Sequence, residues 1–302
     1  MALYAFNGTW NAEKTDVIHT PDNEYLTNTN VLKFRDAYRS ENGYYTNGVG
    51  TRFGTLGRII GGAFGVGGFD RINDALTHLR ARLAAGDTVV DVTGFSRGAA
   101  LALAFSNRVY KQVIDPRTGK PPVIRFLGVW DVVGSFGIPI NLGPFLFQEY
   151  NFGYKLTLPP NVEHCYHAMA LDERRQTFRV TRLKGACEVW FRGSHSDVGG
   201  GNGNLGLNNI AFCWMLRKAA ATGLPVDQVR VLEAAGASKP ETAIRWPKDL
   251  VKNDPRQIGK DDRMHYTVGK GTHPDCNDPH ATCITETAAD EVTATRASTF
   301  TA

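Results

Sequence analysis

Hydrophobic residues change their rhythm several times along this chain, and each change marks an element. Leu3 to Phe6 is a short unbroken apolar run that stops at Asn7-Gly8-Thr9, which predicts a buried strand closed by a turn. Residues 11 to 55 keep no period and are rich in Asn, Thr, Tyr and Gly, so irregular chain with short helical pieces is expected there. GTLGRIIGGAFGVGGF, residues 54 to 69, is apolar and glycine-rich and reads as a flap beside a site. From Asp70 the spacing of Ile72, Leu76, Leu79 and Leu83 by threes and fours predicts a helix, with Asp70 as its cap and Gly86 as its end. Val89, Val90 and Val92 make a β-branched strand. After Gly98, AALALAFSNRV is apolar on nearly every side, as in a helix covered by other elements. Val123 to Trp130 and Cys187 to Phe191 read as two more strands.

Strands that alternate with helices predict an α/β fold, with a mainly parallel sheet and helices on both faces, over residues 1 to 250. Residues 251 to 302 have few long apolar repeats and are expected to be a C-terminal extension or a loosely packed tail.

Composition narrows the function classes. With 34 Lys and Arg against 30 Asp and Glu, the net charge is +4 and the basic residues form no run, so no nucleic-acid footprint is present. A mildly basic surface is compatible with peripheral contact to anionic lipid. No stretch reaches the ~18 apolar residues of a membrane span, and the start lacks the basic and apolar regions of a signal peptide, so synthesis in the cytoplasm is expected. Five cysteines, an odd number and widely spread, do not read as a disulfide framework.

No cofactor is called for: the glycine-rich stretch lacks the Lys-Ser/Thr of a P-loop and the spacing of a dinucleotide fingerprint. HPDCNDPHATC groups His273, Cys276, His280 and Cys283, but the spacing is not that of a common zinc finger, and free or disulfide-linked cysteines in a tail are expected instead of a metal.

The sharpest chemical signal is Gly94-Phe95-Ser96-Arg97-Gly98, between the 89–92 strand and the following helix. A strand that turns sharply through Gly-x-Ser-x-Gly into a helix lifts the serine oxygen above the sheet and aims backbone N–H groups at a developing oxyanion. Ser96 is therefore the candidate nucleophile. It needs a general base and a group to orient that base, in the chain order Ser, Asp or Glu, His. Asp131 lies just past the 123–130 strand and His195 just past the 187–191 strand, in the glycine-rich loop HSDVGGG. His164 and His167 in EHCYHAMALDERRQ are rival bases, with a polar strand-to-helix junction as their plain reading. Asp197 is a rival orienting acid whose plainer task is to brace the HSDVGGG loop. Asp172 and Glu173 are weaker rivals, beside Arg174 and Arg175. One oxyanion donor is expected from the backbone N–H of Arg97. The other is expected from the Gly8-Thr9-Trp10 turn, with Thr9 as the candidate, if the first strand lies beside the 88–92 strand.

FNGTWN, NGVGTR, GGAFGVGG, GFSRGAA, FLGVWDVVGS, HAMALDERRQTF and HSDVGGG occur here in one order. As an ordered set, over about residues 3 to 225, they resemble the α/β-hydrolase domain of the type VI secretion phospholipase effectors of the first lipase-effector group. The resemblance implies an α/β-hydrolase fold and a Ser-Asp-His hydrolase that releases fatty acid from the sn-1 or sn-2 position of phospholipids. It also implies delivery into rival bacteria, with a secretion apparatus and an immunity protein as partners. Ser96, the aspartate of GVWD at Asp131 and the histidine of HSDVGGG at His195 would be its catalytic residues. The chain departs from the family in carrying Asn7 and Asn47 where Asp is usual, which leaves the three catalytic positions untouched. Two other readings stay open: an esterase acting on a small soluble acyl substrate, and a binding module on a hydrolase scaffold. Apolar residues around 56 to 69 and 136 to 147 are expected as an acyl-binding wall or lid, against a plain reading as core.

Overall fold

The computed structural model describes residues 1–8, 18–19, 25–26, 28–39, 42–46, 63–134, 155–246, 254–270, 276–277 and 283–297, and within 63–134 it describes side chains from residue 68 onward. Thr9, the stretch 136 to 147, residues 54 to 62, His273 and His280 lie outside them.

The strands are β1 (Ala2–Phe6), β2 (Ile18–His19), β3 (Tyr25–Leu26), β4 (Tyr44–Thr46), β5 (Val90–Phe95), β6 (Ile124–Trp130), β7 (Val162–Ala170), β8 (Cys187–Phe191), β9 (Arg263–His265) and β10 (Ile284–Glu286). The helices are α1 (Asn30–Ala37), α2 (Ala63–Ala84), α3 (Arg97–Gln112), α4 (His195–Gly199), α5 (Leu205–Ala221), α6 (Gln228–Ala237) and α7 (Ala288–Glu291). β2 and β3 pair as a small antiparallel ribbon. The other eight strands form one sheet in the order β10-β9-β8-β7-β6-β5-β1-β4, and every neighbouring pair in it is parallel.

This is the α/β fold that the alternating pattern predicts. Helices cover both faces, so the central strands read as nearly continuous apolar runs. The period of two still sorts their side chains. On β1, Ala2, Tyr4 and Phe6 join the core under α2 and α3, while Leu3 and Ala5 join the core under α1, α5 and α6. The chain passes from β1 outward to β4 and then returns to β5 on the other side of β1. Winding therefore reverses between β1 and β5, and the crevice beyond their C-terminal ends is where such a sheet takes a ligand.

Two expectations change. The helix expected from Asp70 starts at Ala63, so the second half of the supposed flap is helix and Asp70 is an exposed residue inside it. Phe69 packs against the core, with the Arg108 guanidinium 4.9 Å from its ring centre; such anchoring offsets the ~1 kcal/mol that each glycine costs a helix interior. EHCYHAMA, which opens the segment whose plain reading is a polar strand-to-helix junction, lies wholly within the nine-residue strand β7, in the body of the sheet. Its mixed polar and aromatic residues hide the strand because each is satisfied by a different neighbour.

Beyond residue 250 the described residues add β9 and β10 to the sheet. They are tied in by charge. The Lys218 ammonium on α5 lies 3.0 Å from Glu286 on β10, both side chains are 1% exposed, and the Trp214 indole N–H donates to the same carboxylate at 2.7 Å. Removing one partner of a buried pair strands the other, so Glu286→Ala should destabilise the chain by about 3–5 kcal/mol at neutral pH. Urea denaturation measures this, and a loss under 1 kcal/mol would show that the pair behaves as a surface pair does.

Candidate active site

Ser96 stands at the C-terminal end of β5, at the reversal of winding, and caps α3. Its backbone has φ 59° and ψ −129°. Among the described residues, Ser96 and Asp131 (φ 41°) are the non-glycine residues with positive φ, a strain of order 1–3 kcal/mol each that clusters at functional sites. The two glycines around Ser96 answer to contact. A Cβ on Gly98 would lie 2.3 Å from the Asn7 carbonyl oxygen and 2.4 Å from that of Phe6, so only glycine lets α3 start against the end of β1. A Cβ on Gly94 would lie 2.7 Å from the Ala99 Cα, so only glycine lets the strand double back onto the helix it enters.

Main-chain bonds tie this elbow to the turn that carries Asp131. The Ser96 N–H donates to the Trp130 carbonyl at 3.0 Å, and the Val133 N–H donates to the Ser96 carbonyl at 3.3 Å. Asp131 is fully buried. Its carboxylate accepts the imidazole Nδ1–H of His195 at 2.6 Å, the Ala170 N–H at 2.9 Å, and a fork from Arg256, Nη1 to Oδ1 at 2.5 Å and Nη2 to Oδ2 at 2.9 Å. His195 opens α4, and its backbone N–H donates to Glu173 Oε2 at 3.1 Å. Its ring is packed between Phe95, 4.6 Å away centre to centre, and Phe178, 4.8 Å away. Asp131 and His195 are thus in direct contact, and the ring of the residue preceding Ser96 packs against the imidazole at a tilt. No hydrogen bond joins the Ser96 hydroxyl to His195 among the described residues; catalytic bonds of this type are often loose without substrate and tighten in its complex.

Charge at this site follows from burial and partners. Burial alone would push the Asp131 carboxyl up, but the Arg256 guanidinium and then the His195 hydrogen bond reverse this and hold it well below the usual carboxylate range. Burial draws His195 below its ordinary value, and the Asp131 carboxylate opposes that only in part. An ionised carboxylate can only accept, so the neutral imidazole carries its proton on Nδ1 and leaves the Nε2 lone pair open to take another.

Residues 3–114 and 106–218 match the family model described as "T6SS, Phospholipase effector Tle1-like, catalytic domain", together more than half of the chain. The chain belongs to this family. Among solved structures it is similar to the Tle1 effector bound to the VgrG spike from the type 6 secretion system, at 22% identity and a TM-score of 0.49, over 68% of this chain and 51% of that one. It is also similar to an uncharacterized protein from Pseudomonas aeruginosa, at 19% identity and a TM-score of 0.54, over 80% of this chain and 49% of that one. The latter likeness is one of fold. The chain spans about half the length of these two structures. No curated protein matches it.

Within this Tle1-like domain the rival residues have other partners. The Val132 N–H donates to His167 Nε2 at 3.1 Å and Glu188 holds His167 Nδ1 at 3.0 Å, so both ring nitrogens are occupied. His164 Nδ1 meets the Thr295 carbonyl at 2.9 Å. Asp197 accepts from the Ser194 N–H and hydroxyl, Asn202, Asn204 and the Arg245 N–H, which braces the loop that presents His195. Asp172 pairs with Arg192 and Glu173 with Arg175. β1 does lie beside β5, which puts the turn after β1 near the elbow, but the Gly8 N–H donates to the Asn7 side chain at 2.8 Å and Thr9 is outside the described residues. Sequence reasoning missed Arg256 and Phe178. A buried carboxylate implies a cation somewhere, but nothing in NDPRQIGK singles out its arginine.

Proposed function

We propose that this Tle1-like domain is a serine hydrolase that cleaves carboxylic esters of phospholipids, of A1 or A2 type, with Ser96 as nucleophile, His195 as general base and acid, and Asp131 as the orienting carboxylate. The carrying observation is the 2.6 Å bond from His195 Nδ1 to Asp131, beside a serine in a strained strand-to-helix elbow. In the first half-reaction the Ser96 hydroxyl gives its proton to His195 Nε2 while Oγ bonds to the ester carbonyl carbon. The oxyanion is met by the Arg97 N–H at the start of α3, with the Thr9 backbone N–H as the second donor. The imidazolium then protonates the leaving alcohol oxygen, which departs and leaves an acyl-serine. Water, giving its proton to Nε2, attacks the acyl carbon; fatty acid leaves and the serine is restored.

The choice of lipid rests on the phospholipase description of the family, and delivery to a target cell through the secretion apparatus rests on its type VI description. Among the described residues no helix is long and apolar enough to cross a membrane. Purified protein added to vesicles of mixed phospholipids should release free fatty acid and lysophospholipid, read by mass spectrometry. Intact phospholipid beside cleaved p-nitrophenyl esters would move the reading to a soluble esterase.

The same geometry sets a pH dependence. His195 must be neutral to accept a proton, and burial keeps its affinity for protons below the ordinary histidine value of 6.5. Activity should therefore hold through neutral pH and fall only as the pH drops below that value. An acidic limb of kcat/KM centred above 6.5 would contradict the buried, neutral base.

A further inference from the structure

The Arg256 side chain is 7% exposed, and its two terminal nitrogens make four bonds. Besides the fork on Asp131, Nη1 donates to the Ala170 carbonyl and Nη2 to the Phe178 carbonyl, each at 2.6 Å. The guanidinium thus joins the end of β7, the Phe178 loop that walls one side of His195, and the carboxylate itself. The Arg256 backbone is held in turn, since the Asn277 amide donates to the Arg256 carbonyl at 2.8 Å and to the Leu171 carbonyl at 3.2 Å. Upstream, the Asp254 N–H donates to the Arg174 carbonyl at 2.8 Å. Arg256, Asp254 and Asn277 all lie beyond residue 218, where the family match ends.

We propose that Arg256 is a positioning residue of the hydrolase: it clamps Asp131 so that Oδ2 faces His195 Nδ1, and its guanidinium supplies the counter-charge of that buried carboxylate. The proposal rests on the Ser96, His195 and Asp131 reading above. Asp131 sits in a positive-φ turn, buried, where a carboxylate without a cation would turn toward other donors or take up a proton. A planar fork fixes the plane of the carboxylate as well as its charge, which an ammonium cannot do. The charged groups around His195 are Asp131 from the end of β6, the Glu173–Arg175 pair from the chain after β7, and Arg256 behind Asp131. With Arg256 in place the carboxylate is matched by a cation, so the imidazole is less basic than a bare Asp131 would make it. Without the cation, His195 binds its proton more tightly.

The test compares wild type, Arg256→Gln and Arg256→Lys on a p-nitrophenyl ester across pH, per serine titrated with a fluorophosphonate, with Ser96→Ala as blank and thermal melting as a fold check. Arg256→Gln should lower kcat by roughly ten- to a hundredfold, as a misdirected general base does, with KM nearly unchanged. Its acidic limb should move up by roughly one pH unit. Arg256→Lys keeps the charge and loses the fork, so its limb should stay near that of wild type while kcat falls between the other two. Wild-type kcat per titrated serine with an unmoved limb in Arg256→Gln would reduce the arginine to a brace and overturn the proposal. If Arg256→Gln fails to fold, Arg256→Lys decides alone: a reduced kcat on an unmoved limb supports the clamp, and wild-type kcat overturns it. Turnover surviving in Ser96→Ala would instead bring down the underlying reading, a failure distinct from that of Arg256.

Discussion

Ser96→Ala is expected to leave a folded protein that has lost ester hydrolysis. Removing a nucleophilic serine that works as a unit with its base typically costs on the order of 10⁴–10⁶ in kcat. Stability should scarcely change, for reasons the site makes specific. The hydroxyl makes no hydrogen bond to His195 among the described residues, so its loss strands no partner there. The strain of φ 59° belongs to any residue with a Cβ, and alanine bears it as serine does. The elbow is held by main-chain bonds to Trp130 and from Val133, which the substitution leaves in place. Thermal melting should therefore agree with wild type within a few degrees, as for a change within about 0.5 kcal/mol. Turnover of p-nitrophenyl esters at the wild-type rate would end the serine-hydrolase reading.

Asp131→Asn is expected to damage both activity and stability. The four donors that converge on Asp131 (the Ala170 N–H, His195 Nδ1 and the two Arg256 nitrogens) meet a group that now has a donor of its own. Whichever way the amide turns, an N–H faces an N–H. Against His195 this favours the wrong imidazole tautomer, a fault that costs about 10⁴ in kcat in serine proteases. Against Arg256 it leaves a buried cation without its counter-charge, worth about 3–5 kcal/mol when a buried pair is broken. The pH dependence of that loss has a defined sign. Because the folded Asp131 carboxyl is held below its unfolded range, its contribution is complete above the unfolded value of about 3.9 and disappears as the pH falls through the folded value. The stability gap between wild type and Asp131→Asn should thus be full at neutral pH and narrow in acid. Urea denaturation of both proteins at neutral pH and near pH 3 checks this, and a gap of constant size would show that the carboxylate is not the source of the stabilisation.

Much of the framework can be read from local pattern. The apolar runs at Leu3–Phe6, 89–92, 123–130 and 187–191 are the cores of β1, β5, β6 and β8, because a strand covered on both faces needs little besides apolar residues. The elbow is legible for the same reason: its two glycines and its serine are adjacent, and the strand before and helix after it announce themselves. Asp131 and His195 are legible as candidates because one follows β6 directly and the other lies four residues past β8, where residues of a parallel sheet converge on one rim. Less was legible where a side chain answers to something distant. β7 carries histidines, a cysteine and a tyrosine whose partners, Glu188 and Thr295 among them, come from elsewhere in the chain. The start of α2 depends on what Phe69 packs against, beyond any propensity of its glycines.

Period and turn chemistry, which act between residues a few positions apart, therefore sufficed for the class of fold, the position of the elbow and a short list of acids and histidines. Which members of that list touch one another is decided by contacts that span the chain. His195 meets Asp131 across 64 positions and Arg256 reaches Asp131 across 125, while Asp197, two residues from His195, turns away to cap its own loop. A charge buried at the rim of a sheet is satisfied by whatever the fold brings to it, and sequence separation carries no record of that meeting.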